Sequence, residues 1–274
     1  MINGFDNMNC DIRPVKGVHA VQSVAFVLEL SAPVLASQIK AAIASYESSD
    51  RLRTLFPSKQ ENRGTTIAIN DGGVAVKQNQ EIDSVTFQRL SLDGSLEVAL
   101  TIQANNISYA CNRYTRWKEV SQQALSLLRE FVKYVFPELS VTVIGLQYID
   151  EFLITGEVDS FFPSMILREN QRVPKALLMQ KDGWHSHSGW FESSKDNDKM
   201  LTNLNFNMVP QSENSVFQIV TVHREIKHIP IKSFDALVVA VDSDFEKLHQ
   251  RNISVLREVL NEDTQNLINL GSGK

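Results

Sequence analysis

Between residues 113 and 150 the chain changes period once. Trp117, Val120, Ala124, Leu127, Leu128, Phe131, Val132 and Val135 recur at steps of three and four, with Gln122, Gln123, Ser126, Arg129, Glu130 and Lys133 between them. That spacing predicts one amphipathic helix lying on a larger apolar surface. Thr115 is placed to cap it, and Pro137 to end it. From Val141 the period becomes two. Both alternating sets through Tyr148 are largely apolar, which predicts a central strand covered on more than one side.

The rest of the chain arranges itself around this pair. Residues 1–17 form a polar lead-in, 18–31 alternate as a strand, and 32–47 repeat as a helix with Leu35, Ile39, Ala42, Ile43 and Tyr46 inward. The segment 48–64 is a polar connection whose Leu52, Leu55 and Phe56 tuck against the core. Short strands are expected at 66–69 with 72–77, 85–92, 95–103 and 107–112. Asp71-Gly72-Gly73 and Asp93-Gly94 mark turns between them. After the central strand (141–152) come short helices at 159–168 and 175–178. Strands follow at 184–192, 200–208 and 216–225, then a helical C-terminal third from Phe234, with a last short helix at 263–270.

This order predicts an α+β fold of two β-α-β(3–4)-α units with curved antiparallel sheets, in the helix-grip or TATA-binding-protein-like order. The first unit covers 18–137 and the second 138–274, packed as one two-lobed protein. No residue-level repeat accompanies the architectural one.

Composition narrows the class without naming a reaction. The 274 residues are 43% hydrophobic and 22% charged, the values of an ordinary globular chain. The net charge of −5 argues against a broad nucleic-acid footprint. No apolar run approaches the roughly 18 residues that cross a bilayer. Two cysteines, Cys10 and Cys111, make neither a disulfide framework nor a metal site, which fits a reducing cytoplasm.

Three stretches carry a resemblance: Tyr114-x-x-Trp117, Ile144-Gly145-Leu146-Gln147-Tyr148-Ile149-Asp150, and Phe245-x-x-x-His249. Together they resemble a sporadically distributed family of prokaryotic proteins of about this length with no assigned activity. The usual strand there reads Gly-Leu-Arg-Tyr-Ile-Asn, where this chain has Gln147 and Asp150. The resemblance implies a shared fold over roughly 18–270, and packing roles for these motifs.

Candidate chemistry is sparse. Trp184-His185-Ser186-His187-Ser188-Gly189-Trp190 puts two histidines on one face of a strand, the spacing of a metal-ligating pair. A third ligand would come from elsewhere, such as His223 or Asp150. The same stretch also reads as an exposed edge strand with its tryptophans packed inward. His223-Arg224-Glu225 reads as a strand end with a surface ion pair. His249 reads as a half-buried histidine bonded to a neighbouring strand. Asp242, Asp244 and Glu246 read as the cap and first turn of a helix. Phe161, Phe162, Trp184 and Trp190 are candidate anchors for a partner, or plugs of their own core. The nucleophile-elbow, P-loop, dinucleotide and zinc-protease signatures are missing from the sequence.

The expectation is a non-catalytic cytoplasmic interaction or regulatory protein that binds another protein and needs no cofactor. Homo-oligomerisation is open and membrane insertion is not expected. One alternative is a small ligand held in a cavity between sheet and helix. Another is a metal-dependent hydrolase or nuclease using His185 and His187.

Overall fold

A computed structural model describes residues 10–270, apart from 71–72, 137, 182, 194–196 and 211–213. For 65–80 it describes the backbone alone. The elements are β1 (Cys10–Pro14), β2 (Val21–Leu30), α1 (Ala36–Ser48), α2 (Asp50–Leu55), β3 (Ser58–Asn70), β4 (Gly73–Leu90), β5 (Leu96–Gln103), β6 (Asn106–Cys111) and α3 (Trp117–Val132). There follow β7 (Val141–Gly156), two 3-10 turns (Val158–Ser160 and Pro163–Met165), α4 (Lys175–Leu178), β8 (Trp184–Ser193), β9 (Lys199–Pro210), β10 (Ser215–Ile231), α5 (Phe234–Val259) and α6 (Glu262–Leu267).

All ten strands belong to one antiparallel sheet, in the order β3-β4-β5-β6-β2-β7-β10-β9-β8, with β1 beside β7. β7 is its centre. Along one margin it pairs first with β2, from Val141 to Asp150, and then with β1, from Phe152 to Gly156. Along the other it pairs with β10. In each half of the chain the first strand pairs with the last and the strands between step outward, so β2 and β7 meet in the middle.

On the central strands one alternate set of side chains is buried against the helices. Phe26, Phe87, Leu100, Tyr109, Leu146, Val120, Leu128, Phe131 and Phe245 belong to one large cluster. Phe152, Leu204, Phe206, Phe217, Ile219, Val255 and Val259 belong to a second. α5 spans both, with Leu237, Val241, Phe245 and Leu248 in the first and Val255, Leu256 and Val259 in the second. The space under α3 is filled by its own stripe, with Phe87 and Phe131 stacked 5.2 Å apart.

The opposite face of the sheet is mostly half-exposed, so the double cover expected for β7 holds for one side only. Arg224 runs across this face to Glu29, with bidentate bonds of 2.8 and 2.6 Å. It passes over Gly145, whose missing Cβ would lie 3.8 Å from the Arg224 Cγ.

Several sequence readings change. The polar stretch 58–64 belongs to strand β3, and the lead-in supplies β1. The stretch 58–64 shows no apolar alternation and is held by its backbone ladder to β4, whereas β1 alternates Cys10 and Ile12, packed on the core, with exposed Asp11 and Arg13, a run too short to stand out from the polar residues around it. α5 begins at Phe234 with Ser233 as its cap, so Asp242, Asp244 and Glu246 sit mid-helix and not in its first turn. The helix α2 falls inside the expected connection, and its Leu52 is buried as expected. The turn at Asp71-Gly72 and the stop at Pro137 lie outside the described residues.

Core packing gives a direct test. Truncating Phe131→Ala empties the centre of the first cluster and should cost about 3–5 kcal/mol of unfolding free energy in urea. Val239→Ala, at a position 81% exposed on α5, should stay within about 0.5 kcal/mol.

Candidate functional site

The two apolar clusters do not fuse. A layer of polar side chains lies between them, under α5, and the three stretches singled out in the sequence meet there. Trp117, in the first turn of α3, stacks on His249 of α5 with ring centroids 4.1 Å apart and planes 12° from parallel. On its other side it stacks on Phe26, 5.5 Å away, and Phe26 packs against Phe245. The indole N–H donates to Glu246, one turn before His249, at 2.5 Å. His249 Nδ1 and the Tyr148 hydroxyl are hydrogen-bonded at 2.8 Å, which is the helix-to-strand bond expected for this histidine. Burial lowers the His249 pKa to about 4, against the opposing pull of Glu246, so the ring is neutral near pH 7.

Two residues along β7, Asp150 is buried at 2% exposure. Burial pushes its carboxyl up to about 7. Tyr148 and Tyr114 face it, and desolvation raises both phenols above their usual range, with the Asp150 charge adding to it. Opposite Asp150 the β2 ladder slips by one residue between Val21 and Ser23. Among the described residues, Asp150 Oδ2, Gln22 Oε1 and His19 Nδ1 are buried with no hydrogen-bond partner. His19 packs edge-on against Tyr114 at 5.3 Å.

On the β10 side of the layer, His223 is fully buried. Its ring nitrogens reach Thr202 at 3.2 Å and Asn252 at 3.3 Å, and Thr221 donates to the same Asn252 oxygen at 2.5 Å. Burial lowers the His223 pKa to about 4, with the Asn252 bond opposing it. Next along β10, Glu225 is paired by Lys247. Lys227 lies 3.1 Å from Asp198 and 2.9 Å from Asp244, and these pairings outweigh its desolvation and raise its pKa. The surface ion pair read from His223-Arg224-Glu225 is therefore corrected. β10 runs on to Ile231, His223 and Glu225 point under α5, and Arg224 points to the other face and binds Glu29. Nothing in the local sequence signals this, because a histidine and a glutamate on an apolar strand look like its end unless Asn252 and Lys247 are known to lie above them.

The remaining candidates separate. β8 is the edge strand, with His185 and His187 exposed on the open face and Trp184 and Trp190 half-buried on the helix side. His223 and Asp150 lie on the helix side of the sheet, so the structure does not bring either to the histidine pair. Among the described residues, no group of three or more histidines, cysteines or carboxylates could hold a metal. Phe161 is buried against Phe217 at 5.8 Å, and Trp184 packs on the same ring. Phe162 is half-buried, with the Lys181 ammonium 4.8 Å from its ring. Trp190 is covered by the Arg172 guanidinium, 3.4 Å from its ring centroid. Two hollows flank α3. One of about 250 Å³ lies against the sheet, lined by Arg89, Glu97, Val98, Cys111 and Val120. The other, about 380 Å³, lies towards α5 and is lined by Trp117, Gln122, Leu125, Asp242 and Glu246.

The Asp150 carboxyl gives a pH test with a defined sign. Its folded pKa of about 7 lies above the unfolded value near 3.8, so the fold prefers the protonated form. Its contribution is intact at low pH and is lost as pH rises through about 7. The isosteric Asp150→Asn variant should gain on the wild type as pH rises, by about 2–3 kcal/mol between pH 5 and pH 8 in urea unfolding. An unchanged gap would mean the carboxyl carries no such penalty. No family model matches this chain, and no curated protein or solved structure does so either.

Proposed function

We propose that this chain is a non-catalytic interaction protein that binds another protein through the free edge of β8. The observation that supports it most is the contrast between the two edges of the sheet. β3, at one end, carries Lys59, Glu61 and Arg63 in its first half and breaks register with β4 around Arg63, before an uncharged second half, 65–70, that pairs with β4 without a slip. Such charges and irregularities keep an edge from pairing with foreign strands. β8, at the other end, pairs with β9 over ten consecutive residues without a slip. It has no lysine, arginine or proline, and its one acid, Glu192, is held by Arg251. Among the described residues no backbone group outside β9 bonds to it. A row of outward N–H and C=O groups of that length is a template for strand addition. The exposed Phe191, beside Glu192 and Lys199, offers a side-chain contact at its end.

The buried layer supports the non-catalytic part of this reading. His249 and His223 are neutral, desolvated and engaged with Tyr148, Trp117, Thr202 and Asn252. They fix α5 onto the sheet. The strand order of each half, with first and last strands paired, supports two β-α-β(3–4)-α units joined at β2 and β7. A second reading, a small polar ligand held between sheet and helix, is favoured by the hollow beside Arg89 and Glu97.

The edge reading is tested with the full chain as bait in its host's lysate, beside His185→Lys/His187→Lys, which puts charges on exposed positions of β8. The variant should keep the wild-type circular dichroism and lose the proteins retained by the wild type. Identical retained sets would sink the edge reading. A retained small-molecule mass in native mass spectrometry, lost on Val98→Trp, would put the ligand reading in its place.

A further inference from the structure

Resting on the edge reading above, we infer that the partner β8 takes is a second copy of this chain, paired antiparallel about a two-fold axis at Ser188. The strand is complementary to itself. In an antiparallel pair, opposed residues share a face, and a two-fold axis then falls on a residue. An axis at His187 would set the two imidazoles directly opposite each other. One at Gly189 would put two glycines at the centre, with no side chains to pack. The axis at Ser188 sets Ser188 against Ser188, His187 against Gly189, Ser186 against Trp190, His185 against Phe191 and Trp184 against Glu192.

No like charges face each other in that register, and small residues occupy the middle, where the strands approach closely. Phe191, 64% exposed in the single chain, gains the His185 ring as a neighbour on the open face. Glu192 of each copy stays with its own Arg251. At Gly189 a Cβ would lie 2.5 Å from Asn203 Oδ1, the end of a side chain that can turn away, and 3.5 Å from the Thr202 carbonyl. The product is one sheet running through two copies, with β3 of each at its ends. An isologous contact of this kind closes on itself, so pairing stops at the dimer.

The test uses the full chain in light scattering over a concentration series, with the wild type and three variants. The wild type should reach twice 30.9 kDa as concentration rises. His185→Lys/His187→Lys, which lines the joined edge with cations from both copies, should shift the dimerisation midpoint at least about tenfold to higher concentration, or abolish it. Ser188→Cys should form an intermolecular disulfide on mild oxidation, and Leu92→Cys, on a distant exposed turn, should not. A wild type that stays monomeric overturns self-pairing. So does a dimer unaffected by the lysines, or a Ser188→Cys variant that fails to cross-link. A monomeric wild type that still retains a partner through β8 would overturn only the choice of a second copy and keep the edge reading. A lysine variant retaining the same proteins as the wild type would end both.

Discussion

The pairing of β2 with β7 is the constraint on which the rest depends. These two strands are the only described link in the sheet between the first half of the chain and the second, apart from the short β1 ladder. A sheet grown outward from that seam in both directions has its helices after the innermost returning strands, α3 after β6 and α5 after β10. Both helices therefore lie close to the seam. Trp117 at the start of α3 and His249 in the middle of α5 can then touch, although they are far apart in sequence. The aromatic stack is a product of the strand order.

The polar layer beneath α5 is costly to build, because buried donors and acceptors without partners lose their hydration. Most of it is satisfied internally, through Asn252, Thr202, Thr221, Tyr148 and the Lys227 cluster. Such a layer adds specificity where an all-apolar interface would tolerate sliding. Asn252 has both Thr221 and His223 as partners, and a shift of α5 by one turn would strand all three. The histidines make the arrangement sensitive to acid. Each is neutral in the fold with a pKa near 4, so the unfolded chain takes up protons first as pH falls below the ordinary imidazole range, and stability drops with it. Asp150 works in the opposite sense, which leaves an intermediate pH as the most favourable.

Much of this was legible in the sequence because it follows from periodicity. The stripe from Val120 to Val132 and the alternation from Val141 to Tyr148 each pointed to the element that formed. The alternation across Trp184–Trp190 pointed to the correct faces for β8. What escaped were elements whose stability is not carried by their own side chains. Residues 58–64 have no apolar rhythm, and β4 supplies the ladder that makes them a strand. The buried His223 and Glu225 were read as surface groups for a related reason. Their burial is decided by α5, and nothing within their own segment records which helix comes to cover them. The convergence of Tyr114, Trp117, Tyr148 and His249 was hidden in the same way, since it depends on the strand order across the seam.

The length of α5 has a mechanical consequence. Its 26 residues make a rod of about 39 Å, anchored in the first cluster by Leu237 to Leu248 and in the second by Val255 to Val259. A fluctuation that opens one cluster must either bend the rod or pull it off the other, and there is no proline or glycine within it to act as a hinge. The two halves are thus bound into a single cooperative unit by a shared beam as well as by a shared sheet. Thermal or chemical stress on either is felt by both, and a partner that steadies the β8 margin would stiffen the far side of the molecule through the same beam.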